Sequence, residues 1–235
     1  MGLNSSPNEG VHISGAGFVR DLVFGMNDGL LSMVSLVSGI AAAGASSQIV
    51  VLAGVAGAAA GAISMAAGAY ISTKSQREFF EEEIKREDWE IDNLREREVK
   101  EIVDIYRGKG FKGRMLDSIV KHITSDRKRW LDVMMKEELG LFADKLGNPA
   151  YAGAASGFAF VLGSLFPVLP FVLLDAHTAL YASLFATAAA MFAVGVIKAR
   201  FTKANPFLKG GEMVLIGIIG AGATYLVGSL FHVNV

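Results

Sequence analysis

The sequence predicts an all-α membrane protein: five transmembrane helices, with a charged helical domain inserted between spans two and three. Three features lead there. Of 235 residues, 52% are hydrophobic and only 19% are charged, below the quarter that soluble domains usually carry. The charges are segregated, because residues 74–148 hold 17 of the 22 Lys and Arg and 18 of the 23 Asp and Glu. Long apolar runs occur, whereas no alternating strand pattern does. Composition also excludes some classes. Cys is absent, so a disulfide scaffold and a thiolate site are both ruled out. The net charge is −1 and there is no basic stripe, which leaves nothing to hold nucleic acid.

The spans follow from the uncharged runs. Residues 29–73 contain no Asp, Glu, Lys or Arg. As one helix they would reach about 68 Å, roughly twice a bilayer core, so the run must fold into two spans. Small, turn-prone residues at 43–47 place the break, giving spans 18–43 and 48–73. The uncharged run 146–174 gives span three, 176–197 span four and 213–235 span five. Pro167 and Pro170 are expected to kink or end span three, Asp175 reads as loop, and Glu212 reads as an interfacial anchor. Span two is small-sided, and Gly57 and Gly61 form a GxxxG that suits close helix packing in lipid. Residues 1–17 lack the basic, apolar and cleavage regions of a signal peptide, so span one is expected to direct insertion.

Basic residues alternate between the connections. Arg20 precedes span one, 17 basic residues separate spans two and three, and Lys198, Arg200, Lys203 and Lys209 separate spans four and five. The positive-inside rule then places the N-terminal segment 1–17 and the charged domain in the cytoplasm, with the C-terminus on the opposite side.

Three helices are expected in the charged domain. From Lys74 no Pro or Gly occurs before Gly108, so span two should continue as one helix to Arg107. A second helix fits 112–123 and a third fits 126–139, capped by Ser125 or Asp126 and closed by Gly140. On a straight helix Glu87, Glu90, Glu98 and Glu101 fall within an arc of roughly 80°, joined by Glu83 and interrupted by Leu94. Glu83 and Glu87 are like charges at i, i+4, an unfavourable pair that a bound cation would relieve. On the third helix Met134 and Glu138 share a face, with Met135 adjoining. If the first and third helices pack antiparallel, carboxylates and thioethers converge in a metal site of mixed hardness. The alternative is a set of solvated glutamates over a methionine core.

Polar residues also lie within the spans. Asp28 is inside span one, with Asn27 beside it as an additional candidate. A carboxylate in hydrocarbon is costly and reads as functional. Because Asp28 follows Arg20 by roughly 12 Å, a headgroup-level placement is the alternative. Met65 lies nine residues before Lys74, at a similar depth from the same edge. An oxygen and a sulfur at one level suit a borderline ion such as Fe(II) better than Ca(II) or Mg(II). Oxygen-rich sites also tolerate Mn(II), Co(II) and Zn(II). The four histidines form no HxxxH or HExxH pair, which sets aside a zincin, and the one ExxH, Glu9 to His12, has no second copy to make a di-iron oxidase. There is no Walker A motif, and the chain is expected not to be an enzyme.

Residues 21–30 (DLVFGMNDGL), 60–68 (AGAISMAAG), 85–87 (KRE), 130–140 (WLDVMMKEELG) and 166–170 (FPVLP) resemble the vacuolar iron transporter family. The resemblance keeps motif order and spacing from about residue 14 to 231. It implies a homodimer of five-span protomers that exports cytosolic Fe(II), and often other divalent metals, in exchange for protons. The implied ion path runs at the dimer interface between the first spans. By motif match, Asp28 and Met65 take the transmembrane metal positions. Glu87, Glu90, Glu98, Glu101, Met134, Met135 and Glu138 take those of the cytoplasmic metal-binding domain. Plant members carry a glutamate where this chain has Gly57, a departure that bears on proton coupling. No permanent cofactor is implied, since the metal is substrate. The implied partners are a second copy, the lipid bilayer, divalent metal ions and protons, in a vacuolar or plasma membrane. A membrane-anchored metal store or sensor without transport is the other reading, and Asp28 argues against it because an anchor needs no buried carboxylate.

Overall fold

The computed structural model describes residues 9–138, 140 and 147–231, with side chains outside the described set at 9–16, 201 and 202. The described residues form eight helices and no strand: α1 (Glu9–Ala42), α2 (Ser47–Asn93), α3 (Arg95–Gly108), α4 (Gly113–Thr124), α5 (Arg127–Glu137), α6 (Pro149–Leu173), α7 (Ala176–Thr202) and α8 (Pro206–Leu230). They divide into two compact units, one of Met1–Ile71 with Pro149–Val235 and one of Ser72–Asn148.

Five of the helices are long and apolar enough to cross a membrane: Gly17–Ala42 within α1, α2, α6, Ala176–Arg200 within α7, and α8. The fifth begins at Pro206, seven residues before the expected start. Asn205 accepts from the amides of Phe207 (3.0 Å) and Leu208 (3.3 Å), and Pro206 occupies the first helical position. Lys209 and Glu212 pair at 2.6 Å inside the first turns, so the charges do not mark the boundary. The expected end of span five beyond 231 lies outside the described residues. Asp175, expected in a loop, caps α7 by accepting from Thr178 N at 3.0 Å. Pro167 does not end α6, which runs on to Leu173, and the Pro167 carbonyl accepts from Ser183 Oγ at 2.8 Å.

Glycine lets α1 and α6 meet backbone to backbone. A Cβ on Gly29 would collide with the Phe160 carbonyl, and one on Gly25 with the Ser156 carbonyl. Small residues at such crossings substitute for the hydrophobic drive that lipid removes. Gly29→Ala is therefore expected to destabilise the helical bundle by about 1–3 kcal/mol. Gly222→Ala, whose Cβ would meet nothing within 4 Å, should not lower stability. Thermal unfolding in detergent, followed by size exclusion, checks both.

The second unit has its own core, built from Ile91, Ile102, Leu116, Val120, Ile123, Trp130 and Met134. Its first helical segment differs from expectation. The helix foreseen to Arg107 breaks at Leu94, where φ is −124° and ψ is 34°. Asn93 Nδ2 donates to the Trp89 carbonyl at 2.7 Å, the local side-chain bonding that competes with helix continuation. A straight helix would hold Ile91 and Ile102 about 16 Å apart along its axis. The break lets both enter one core. Asp126 caps α5 by accepting from Arg129 N at 2.7 Å. Arg127 reaches Asp88 (3.0 Å) and Asp92 (2.6 Å), fastening the start of α5 to the end of α2. The α5 helix ends at Glu137, and Leu139, its expected last residue, lies outside the described set.

Candidate metal centres

Carboxylates converge at the break. Oxygens of Glu87, Glu90 and Glu98 lie within 4.8 Å of one another, and so do those of Glu98, Glu101 and Glu138. Glu98 belongs to both groups, so five side chains from the end of α2, from α3 and from the end of α5 make one continuous cluster. On a straight helix Glu87 and Glu98 would be separated by about 16 Å of rise, too far to share an ion. The turn at Leu94 brings them together.

Burial makes the cluster demanding. Glu87 is 1% exposed and Glu98 is 0% exposed. Glu87 Oε1 and both Glu98 oxygens are buried without a hydrogen-bond partner. Buried carboxylates in that state must take up protons or a cation. The Glu87 carboxyl is accordingly pushed up to about 8, first by burial, then by Glu138, the proton it would share with Glu98, and the charges of Glu98 and Glu90. Burial also raises Glu98, with Glu101 and Glu90 adding to it. Burial raises Glu138, reinforced by Glu101. The rim is compensated instead: Glu90 sits 3.7 Å from Arg86 and Glu101 3.0 Å from Arg97.

Not every candidate joins the cluster. Glu83 pairs with Arg86 at 3.1 Å and lies outside both carboxylate groups. Met134 packs in the apolar core with Ile91, Ile102 and Trp130. It sits one turn before Glu138, whose amide donates to the Met134 carbonyl at 3.0 Å. Met135 is buried beside it at 9% exposure.

Within the first unit, Asp28 and Met65 are both half-buried. Side-chain contacts set their register. Gly57 of α2 faces Leu36 and Met33 of α1, and the Phe160 ring of α6 covers Gly61 while its backbone meets Gly29. Running antiparallel from those contacts, Asp28 levels with residues 61–65 of α2, within about one turn of Met65. Asn27 carries a buried Oδ1 with no hydrogen-bond partner. Gly57 offers no ligand at its own position.

Comparison with known proteins bears on both places. Residues 19–229 match the VIT family. The chain belongs to that family. Vacuolar iron transporter 2 of Oryza sativa subsp. japonica is 35% identical over 215 residues, covering 91% of this chain and 87% of the rice protein. Vacuolar iron transporter 1 of Arabidopsis thaliana is 35% identical over 215 residues, covering 91% and 86%. The vacuolar iron transporter of Plasmodium falciparum (isolate 3D7) is 29% identical over 227 residues, covering 92% and 83%. The VIT match takes in both units, so Asp28, Met65 and the whole glutamate cluster fall inside it. These relatives are named as transporters and none as an enzyme.

Sequence reasoning found the shared face of the glutamates and the conditional approach of the third helix, but not the break that brings Glu87 and Glu90 to Glu98. The available signals were Leu94, an apolar residue set in an acidic arc, and Asn93, a poor helix former, directly before it.

Proposed function

We propose that this VIT-family chain carries Fe(II), and with it other divalent transition metals such as Mn(II), Co(II) and Zn(II), out of the cytoplasm in exchange for protons. The observation that carries the reading is the buried pair Glu87 and Glu98, partnerless at three oxygens inside a five-carboxylate cluster. A stable apo fold gains nothing from that arrangement, whereas a divalent cation would satisfy it. The cluster captures the ion, with the thioethers of Met134 and Met135 adding soft donors, and Glu83 sits at its approach. Asp28, with Asn27 beside it, and Met65 hold the ion transiently within the membrane. Two protomers form the path between their first spans. The basic connections keep the charged unit and the N-terminus cytoplasmic and the C-terminus opposite, in a vacuolar or plasma membrane. Protonation displaces metal from carboxylates, so an acidic far side drives release.

Proteoliposomes containing an Fe(II)-quenched dye test this. Inward Fe(II) flux should accelerate when the lumen is made acidic and collapse when a protonophore abolishes the gradient. Equal flux in both conditions would remove proton exchange and leave transport standing. Absence of flux from protein that still binds Fe(II) would favour a membrane-anchored store.

A further inference from the structure

Two arginines stand beside the glutamate cluster, and they are held differently. Arg97 Nε donates to Glu101 Oε1 at 3.0 Å, one turn further along α3. Glu101 belongs to the carboxylate group with Glu98 and Glu138. Arg86 lies one turn before Glu90, which belongs to the group with Glu87 and Glu98. It does not grip Glu90, because its Nε is 3.7 Å from Glu90 Oε1, beyond hydrogen-bond distance. Its terminal nitrogens go to Glu83 instead, Nη1 to Oε1 at 3.2 Å and Nη2 to Oε2 at 3.1 Å. That two-point fork fixes a guanidinium more firmly than a single contact does. Glu83 itself lies outside both carboxylate groups.

The Arg97 contact is of the weaker kind. It is one hydrogen bond through Nε, the side chain is 61% exposed, and Arg97 makes no other ion pair among the described residues. Exposed pairs of this sort hold loosely. A divalent cation arriving among Glu98, Glu101 and Glu138 brings twice the charge to the same oxygens. It therefore displaces the guanidinium from Glu101 or leaves it beside a second cation, and either course opposes binding. At Glu90 this competition is largely avoided, since Glu83 already occupies Arg86.

We infer that Arg97 is a built-in counter-ion that limits the affinity of the cluster for a divalent cation, and that Glu83 is a positioning residue that keeps Arg86 from doing the same at Glu90. The inference rests on the cluster being a metal site, as proposed above, and assigns what sets its strength. Five carboxylates with nothing opposing them would hold a divalent ion too tightly to pass it on, and a site on a transport route must also let go. A guanidinium that returns to Glu101 as the ion leaves supplies that release without adding or removing a ligand.

Mn(II) alone is the probe, titrated into the full-length protein in detergent at fixed pH and ionic strength, with free Mn(II) read by electron paramagnetic resonance. The part of the binding that Glu98→Gln removes is assigned to the cluster. Arg97→Gln should tighten that binding about threefold or more, whereas Arg97→Lys, which keeps the charge, should stay near wild type. Lys100→Gln is the control, because Lys100 is a cation of the same helix that pairs with neither carboxylate group, and it should change affinity less than Arg97→Gln does. Glu83→Gln should weaken binding about threefold, and most of that loss should vanish when Arg86→Gln is added. These side chains lie on the surface, so each variant should match wild type in size exclusion. Unchanged or weaker binding by Arg97→Gln would overturn the counter-ion, leaving Arg97 as a support that orients Glu101. Equal tightening by Lys100→Gln would reduce the effect to net charge and overturn it as well. An equal loss from Glu83→Gln with and without Arg86 would remove the positioning role. If Glu98→Gln removes no Mn(II) binding from wild type, the cluster is not the metal site, and that reading falls together with this one.

Discussion

Asp28→Ala should abolish Fe(II) flux in proteoliposomes, lowering the rate at least about 100-fold, which is about 3 kcal/mol on the barrier. A divalent ion entering hydrocarbon sheds most of its hydration, and one fixed carboxylate is a large part of what replaces it. Residues 29–73 contain no Asp, Glu, His, Lys or Arg, and Gly57 supplies no carboxylate from α2, so no second carboxylate there compensates. The variant should still fold, because the structure gives Asp28 no ion pair whose loss would strand a buried cation, and only its backbone carbonyl is engaged, by Ser32 Oγ at 2.5 Å. Asp28→Asn separates charge from size and should be as inactive as alanine, while Asp28→Glu should keep partial flux. Metal binding by the glutamate cluster should be unchanged in all three, as read by equilibrium titration with Fe(II) under anaerobic conditions. Wild-type flux through Asp28→Ala would exclude that residue from the path.

The membrane part of the fold was legible because bilayer thickness acts as a ruler. Forty-five uncharged residues fit two spans and no other arrangement, and the small residues at 43–47 leave one place to turn. Helix ends set by side-chain caps were less visible. Span five was expected to start where charge stops, but Asn205 and Pro206 start it earlier and carry Lys209 and Glu212 into the helix as a pair. Charge at a helix start is a poor boundary when it is internally neutralised.

The glutamates show the opposite limit. Their common face needed only the helical period, since 87 to 98 is three turns and a small remainder. Their meeting needed a break that no Gly or Pro announces. Leu94 leaves the helical region because Ile91 and Ile102 gain a shared core with Trp130, a tertiary effect that outweighs local helix preference. The methionines were ambiguous for the same reason, because sequence cannot tell a buried thioether that packs from one that also donates.

The second large effect follows from Glu87. With its pKa raised from the ordinary 4.5 to about 8, chiefly by burial, Glu87 is protonated in the folded apo protein at pH 6 but ionised in the unfolded chain. The unfolded state therefore binds fewer protons across this window. Stability of the apo charged unit should be highest below about pH 4.5 as far as this group is concerned, fall as pH rises towards 8, and level off above it. Metal reverses the trend, because a bound cation requires the ionised carboxylate. The stabilisation that Fe(II) or Mn(II) confers should increase steeply from pH 6 to pH 8, by up to tenfold in affinity per pH unit for each proton released. Glu87→Gln keeps the size and removes the ionisation. It should raise apo stability at pH 8, flatten the pH profile and weaken metal binding at least tenfold. Melting curves at pH 6, 7 and 8, with and without Mn(II), provide the test. If Glu87→Gln lowers apo stability at pH 8, Glu87 is held as a structural anion rather than as a destabilised ligand. If it leaves Mn(II) affinity unchanged, the cluster captures metal without it, and the turn at Leu94 serves the core alone.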